Sequence, residues 1–270
     1  MKISYNWLKQ YLNLSIDAED VADILTSTGL EVEGVNQVFS SFDHLVVGKV
    51  LECFQHPNAD RLMITKVDVG SNIQQIICGA KNVKKAQHVV VVLPGNTLTN
   101  IKGESFKIKK TKIRGEWSEG MICGEDEIGL GHNHEGIMEL PNNFEVGSLV
   151  ANCFQVSRDQ IFEIGLTPNR TDAFGHVGVC RDLYAYLMHR SKEVNLSLPD
   201  VTGYQAGESS LSINLENKSA DFCEQYYGVC VDNVTVKSSP IWLQAKLISI
   251  GLKPINNVVD ITNYVLHETG

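Results

Sequence analysis

His44-Leu45-Val46-Val47-Gly48-Lys49-Val50-Leu51-Glu52-Cys53 is a run rich in aliphatic and β-branched residues, and four more such runs follow at 62–69, 73–78, 88–93 and 105–113. Each is bounded by Gly, Asn, Pro or Lys, residues that turn the chain or keep it in water. Short strands spaced in this way predict an all-β sandwich or small barrel over residues 40–150. In the last run Phe106 and Ile108 fall on one face and Lys107 and Lys109 on the other, because strand side chains alternate. That alternation puts Phe106 and Ile108 in the core and the two lysines in water. Residues 121–123, an acidic turn at 125–130 and residues 136–141 close the unit.

The flanks have a helical texture. Asp17 can cap a helix with Glu19 and Asp20 in its first turn, Val21, Ile24 and Leu25 as its buried stripe and Gly29 as its stop. Residues 30–38 then alternate weakly, as an edge or half-buried strand does. After the β region, 161–166 reads as a strand and 167–170 as a turn. Thr171 or Asp172 is the expected cap of a helix carrying Val177, Cys180, Tyr184 and Leu187. Neither 1–39 nor 151–195 holds enough apolar surface to be stable alone, so the two are expected to pack as one discontinuous platform with the β unit inserted. Residues 196–210, with Pro199, Gly203 and Gly207, read as a linker. A third unit, 211–270, begins with strands at 211–215 and 227–236 and a helix capped by Ser239, with Pro240 at its first position and Gly251 at its end. The chain stops straight after the apolar run 258–266, so this unit reads as incomplete.

With 43% hydrophobic and 20% charged residues the chain can furnish cores for about two domains. No apolar stretch approaches the ~20 residues of a membrane span, and the N-terminus lacks the apolar core of a signal peptide, so the expected location is the cytoplasm, with no membrane partner. The seven cysteines (Cys53, Cys78, Cys123, Cys153, Cys180, Cys223 and Cys230) are scattered and form no CxxC unit. They read as reduced and mostly buried. A net charge of −9 argues at first against nucleic acid, yet it is unevenly spread. Lys81, Lys84, Lys85, Lys102, Lys107, Lys109, Lys110, Lys112 and Arg114 are opposed within their stretch only by Glu104, which leaves +8 there and −17 elsewhere. These nine cations are the candidate RNA contacts, since phosphate binding draws its affinity from Lys and Arg. The competing reading is a solvated charged face.

The order His56-Pro57-Asn58-Ala59-Asp60-Arg61-Leu62, Val67-Asp68-Val69-Gly70, Ile77-Cys78-Gly79-Ala80-Lys81-Asn82 and Arg114-Gly115-Glu116-Trp117-Ser118-Glu119-Gly120-Met121-Ile122-Cys123 resembles the EMAP-like tRNA-binding domain, an OB-type barrel. In physical terms His56, Pro57, Asn58 and Asp60 are expected to hold a loop. Gly79, Gly115 and Gly120 would permit tight turns or close approach of an RNA backbone. The flanking motifs Ser4-Tyr5-Asn6-Trp7-Leu8, Thr28-Gly29-Leu30-Glu31-Val32-Glu33, Thr167-Pro168-Asn169-Arg170-Thr171-Asp172 and Asn256-Asn257-Val258-Val259-Asp260-Ile261-Thr262-Asn263-Tyr264-Val265 are similar to the phenylalanyl-tRNA synthetase β-subunit family.

That resemblance implies a fold class of α+β multidomain type: an OB-type β-barrel inserted into a discontinuous α+β domain, followed by the start of an α+β editing domain. It implies a partner catalytic α subunit in an α2β2 assembly, tRNA(Phe) as the RNA, and ATP and Mg²⁺ as cofactors of the full enzyme, with none in this region. It also implies that Thr262 and Asn263, on a local strand, and Lys253, where relatives carry Arg, belong to an editing pocket. Lys cannot form the guanidinium fork. The alternative is that Asn256, Asn257, Thr262 and Asn263 only satisfy buried backbone groups. The rival function is a stand-alone tRNA-binding or protein-docking module, which would need only the barrel. His132, His134 and Glu135 near Cys123 make a weak metal signature without a cysteine pair, and Gly129-Leu130-Gly131 follows no strand of a βαβ unit.

Overall fold

The computed structural model describes the chain except for residues 101–103, 132–133, 191–192, 206 and 208–212 and the side chains of residues 40 and 41. The chain opens with β1 (Lys2–Ser4), α1 (Tyr5–Tyr11), α2 (Ala18–Ser27) and β2 (Glu31–Val38). Asp17 caps α2: its Oδ1 accepts the Asp20 N–H at 2.9 Å, and Glu19 and Asp20 sit at the positive end of the helix. Gly29 ends the helix at φ 92°, a conformation that costs L side chains energy. Ser4 caps α1 in the same manner, accepting the Trp7 N–H at 2.9 Å while donating to Asp159 at 2.6 Å.

The β region contains β3 (Leu45–Gln55), β4 (Met63–Asp68), β5 (Ile73–Cys78), β6 (His88–Val92), β7 (Thr97–Thr99), β8 (Ser105–Lys107), β9 (Thr111–Ile113), β10 (Glu116–Ser118), β11 (Met121–Ile122) and β12 (Glu139–Leu140). One sheet runs β11-β6-β3-β4-β5, with β12 also on β6. β3 serves two neighbours: its first half pairs with β6 and its second with β4, and a bulge between Val50 and Glu52 bends it between the two. The sheet curls until β5 meets the segment joining β10 to β11. There Gln75 O accepts the Glu119 N–H at 2.8 Å and Ser118 Oγ accepts the Ile77 N–H at 3.1 Å. The result is a nearly closed, barrel-like sheet in a mixed α and β chain, of the kind an OB-type tRNA-binding domain requires. Gly48 lies inside the bend of β3, where a Cβ would meet side-chain carbons of Val91 at 2.6 Å and Val67 at 2.7 Å.

The 105–113 run departs from its alternation. β8 ends at Lys107 and pairs only with β7, while Ile108 turns to bond Asn96 and Gly95 through its backbone. Ile108 is buried as expected, but Phe106 is 38% exposed, because the break after Lys107 ends the two-residue period that would have linked their faces.

Beyond the barrel come α3 (Val150–Phe154), β13 (Asp159–Gly165), α4 (His176–His189), α5 (Ile241–Ser249) and α6 (Asn257–Thr269). β13 lies between β1 and β2 in a three-stranded antiparallel sheet, so segments from both sides of the barrel share one core, with Trp7, Leu25, Phe162 and Leu183 at its centre. Ala245 of α5 joins the barrel's lower core while Ile250, just after the helix, joins the sheet's core. The end of α5 thus touches both.

Four local expectations are corrected. The helix α4 is not capped by Thr171 or Asp172: residues 171–173 form a 3-10 turn, the Asp172 carboxylate is held by Arg170 at 2.9 Å, and Gly175 is the N-cap. Residues 213–215 and 227–236 form no strand, and 211–212 lie outside the described residues. Apolar alternation marks a face that can be buried, but a strand also needs a partner, and none of the described strands pairs there. Ser239 does not cap α5. Its hydroxyl donates at 2.5 Å to the fully buried Asp260, and Pro240 takes the cap position. The segment around Thr262 is helix, not strand, because Asn256 accepts the N–H groups of Val258 and Val259, each at 3.1 Å, and so starts α6.

Candidate nucleic-acid interface

An open groove of about 1150 Å³ lies beside the curled sheet between the end of β5, the β8–β9 segment and residues 126–127 and 134–137. Lys81, Lys107 and Lys109 line it with Phe106, Ile108 and Met121. The loop that carries the 56–60 motif is built from within: buried His56 accepts the Asn58 N–H at Nδ1, 3.1 Å, and its Nε2 lies 3.2 Å from the Ile113 carbonyl. This bond ties the loop to β9, and Asn58 Nδ2 adds a longer one to Arg114 O at 3.4 Å. Gly115 and Arg114, at φ 105° and 50°, make the two-residue turn between β9 and β10. Gly120 answers to the protein's own backbone, since a Cβ there would lie 2.7 Å from Val92 O.

The other expected cations are placed as follows. Lys84 and Lys85 are exposed on the loop after β5, and Arg114 is exposed at the β9–β10 turn. Lys110 pairs with Glu119, and both Lys110 and Lys112 flank the Trp117 ring. Lys102 lies outside the described residues. The acidic turn, expected only as a closure, contributes Asp126 and Glu127 to the same groove. Burial, with Asp126 beside it, pushes the Glu127 carboxyl up, and a 2.7 Å bond from the Gly124 N–H opposes the rise. Asp126 bonds His134 at 2.8 Å. Of the editing candidates, Lys253 and Thr262 are exposed and Asn263 is half-buried on α6, and the Thr262 hydroxyl donates to Val259 O at 2.7 Å.

A second constellation joins α5 and α6 to the three-stranded sheet. Trp7 stacks between His176 at 3.9 Å and Tyr264 at 4.8 Å. The Lys246 ammonium lies 4.7 Å from the Trp7 ring, 5.0 Å from Tyr264 and 5.8 Å from Trp242, and donates to Gln10 at 2.6 Å. Burial pushes its pKa down to about 8 against the pull of Glu268 and Asp159. Tyr11 and Tyr264 both donate to the Glu268 carboxylate. Sequence reading missed this cluster, because its members come from opposite ends of the chain.

His176 is the member whose protonation couples to folding in acid. Its Nε2 accepts the Ser4 N–H at 3.1 Å, so its Nδ1 carries the proton and donates to His267 O at 2.6 Å. Burial drives its pKa from 6.5 down to about 3. As pH falls, the unfolded chain takes up this proton first. The stability due to neutral His176 is therefore complete above pH 6.5 and is withdrawn progressively toward pH 3. Between pH 7 and pH 5 the loss should reach about 2 kcal/mol, at roughly 1.4 kcal/mol per unit below the free pKa. Denaturant unfolding at both pH values checks this. The raised Asp159 and Glu127 carboxyls work in the opposite sense at lower pH, so the comparison is made against His176→Gln, whose stability should lack this component. An equal slope in both proteins would contradict the assignment.

Residues 45–149 match the model of the tRNA binding domain family, and residues 222–270 match that of the B3/4 domain family. Over its whole length the chain is 48% identical to a phenylalanine–tRNA ligase beta subunit of Bacteroides fragilis and 46% identical to that of Porphyromonas gingivalis. In each case the match covers 100% of this chain and 33% of the relative, so the chain spans about one third of their length.

Proposed function

We propose that this chain, similar over its whole length to phenylalanine–tRNA ligase beta subunits, is the tRNA-binding N-terminal region of such a subunit. The carrying observation is that the stretch matching a tRNA binding domain is the curled sheet whose groove bears Lys81, Lys107 and Lys109. In this reading residues 1–39 and 151–195 are one platform interrupted by the 40–150 barrel, 196–210 is a linker and 211–270 begins an editing domain. The region works in the cytoplasm beside a catalytic α subunit in an α2β2 assembly, and supports ATP-dependent charging of tRNA(Phe) with phenylalanine. Among the described residues no group of three His, Cys, Asp or Glu side chains could hold a metal ion. We assign the ATP- and Mg²⁺-dependent step to other parts of the assembly.

Lys253, Thr262 and Asn263 remain the editing candidates, with hydrolysis of mischarged tRNA requiring further walls around them. On its own the region is expected to leave mischarged tyrosyl-tRNA intact. The match at 222–270 favours this reading over a stand-alone binding module, which has no use for that segment.

Salt titration tests the RNA assignment. Counterion release predicts that log K for tRNA falls with log salt by roughly 0.7–0.9 per phosphate neutralised. Binding indifferent to salt, or no binding at low salt, would remove the basis for the assignment.

A further inference from the structure

Alternation on the β9–β10 ribbon turns Glu116 and Ser118 inward and Trp117 outward. Ser118 is buried, its Oγ accepting the Ile77 N–H at 3.1 Å and donating to Gly120 O at 3.1 Å, while Glu116 accepts from Gln75 at 3.2 Å. Trp117 is left 49% exposed and joins none of the three apolar cores. Lys112 is its cross-strand partner, and the Lys112 and Lys110 ammonium groups lie 5.9 Å and 5.4 Å from its ring centre.

The backbone beneath is held at three points: Ile113 O lies 3.2 Å from His56 Nε2, Arg114 O accepts from Asn58, and Trp117 O accepts from Gln75 at 3.0 Å. An indole that packs in no core, on an anchored ribbon, with the ammonium groups of two flexible lysines over its ring, is a flat apolar face that those groups can leave to a base while staying beside it. An unpaired nucleobase has the complementary chemistry: a π face to stack on the indole and flanking phosphates for the ammonium groups. A base-paired helix does not, because its base faces are already stacked.

We propose that Trp117, with Lys110 and Lys112, is a stacking platform for one unpaired nucleobase of single-stranded RNA. The platform rests on the RNA-binding reading above and adds a contact outside the groove. Lys110 reaches the phosphate by exchanging Glu119 for it. Stacking of this kind tolerates any base, so the platform adds affinity for loops and single-stranded ends without reading sequence.

The test uses the full chain with Trp242→Phe as background, which leaves Trp117 as the exposed indole beside buried Trp7. The probes are a tRNA transcript, a single-stranded uridine 12-mer and a blunt RNA duplex. The expected result is quenching of Trp117 emission by the tRNA and the 12-mer but not by the duplex. Trp117→Ala should bind the 12-mer about tenfold more weakly, with Trp117→Phe in between, a range set by the cost of removing one stacked base. Both variants should melt as the parent does, since the side chain packs in no core. Unchanged 12-mer affinity in Trp117→Ala, or weaker binding without any quenching in the parent, overturns the platform while leaving the RNA reading intact. Absence of binding to all three probes overturns both, and stable capture of a protein ligand that competes with the 12-mer at Trp117 would reassign the platform to protein docking.

Discussion

Lys107→Glu combined with Lys109→Glu is expected to weaken tRNA binding by about a hundredfold near ~0.1 M salt, since each reversal removes one counterion-releasing contact and adds a repulsion of similar size. Both side chains are exposed and line the groove, and neither is in an ion pair among the described residues. The fold should therefore survive, and the melting curve should stay where it was. The loss should apply to all tRNA species alike, because phosphate contacts carry no sequence information. The log-log salt slope should also become shallower by roughly two phosphates' worth, about 1.4–1.8. Affinity and slope both unchanged would move the RNA away from this groove. The acidic side of the same groove makes the converse change informative: Asp126→Asn should strengthen binding slightly, by removing a carboxylate from the path.

Gly147→Ala is expected to cost about 3 kcal/mol of stability, as the sum of a left-handed backbone and a clash that neither side can relieve. Gly147 has φ 85° and Gly70 φ 84°, and the two lie back to back: a Cβ on Gly147 would sit 2.8 Å from the Gly70 Cα, and one on Gly70 2.7 Å from the Gly147 Cα. Both obstacles are main chain, so no rotamer change makes room. Gly147 also donates to Val47 O at 2.8 Å, and Ser148 O accepts the Val47 N–H at 2.9 Å, so the strain falls where the chain leaves the barrel beside β3. Gly95→Ala is the control. It has φ 100° but nothing within 4 Å of its Cβ, and should cost only the backbone share, about 1–2 kcal/mol. Denaturation midpoints of the two variants that coincide would show that the glycine pair does not need its close approach.

Much of this architecture can be read before any coordinates, and the reason differs from element to element. Asp17 and Gly29 bracket α2 because capping and the left-handed stop are local chemistry, decided within a few residues. β5 spans Ile73–Cys78, the run marked out by its turn residues. β7 is not marked out in the sequence because Thr97–Thr99 is too short to show an alternation, and it is recognised as a strand by its pairing with β8. In the interface, the cluster of lysines was visible as a charge run, but not its division. Three line the groove, two flank an indole, and the acidic turn comes back to face the first three. Trp117 did carry a signal, as the aromatic residue beside a basic stretch, yet its exposure depends on Ser118 being the residue turned inward.

By itself the sequence determined the Asp17 cap and the Gly29 stop of α2, the order of the main strands along the chain and the local excess of positive charge, since each depends on neighbours along the chain. The family resemblance was legible for the same reason, because its motifs are contiguous. Tertiary structure alone decided that Ser239 serves buried Asp260 and does not cap α5, that Trp7 lies between His176 and Tyr264, and that Lys246 faces three aromatic rings. It alone also left the alternating residues of 227–236 without a strand partner among the described residues. A hydroxyl, a ring or an ammonium group can take any of several partners, and so can an extended backbone. Which partner it takes depends on what packing brings within about 3–6 Å, a distance that separation along the chain does not encode.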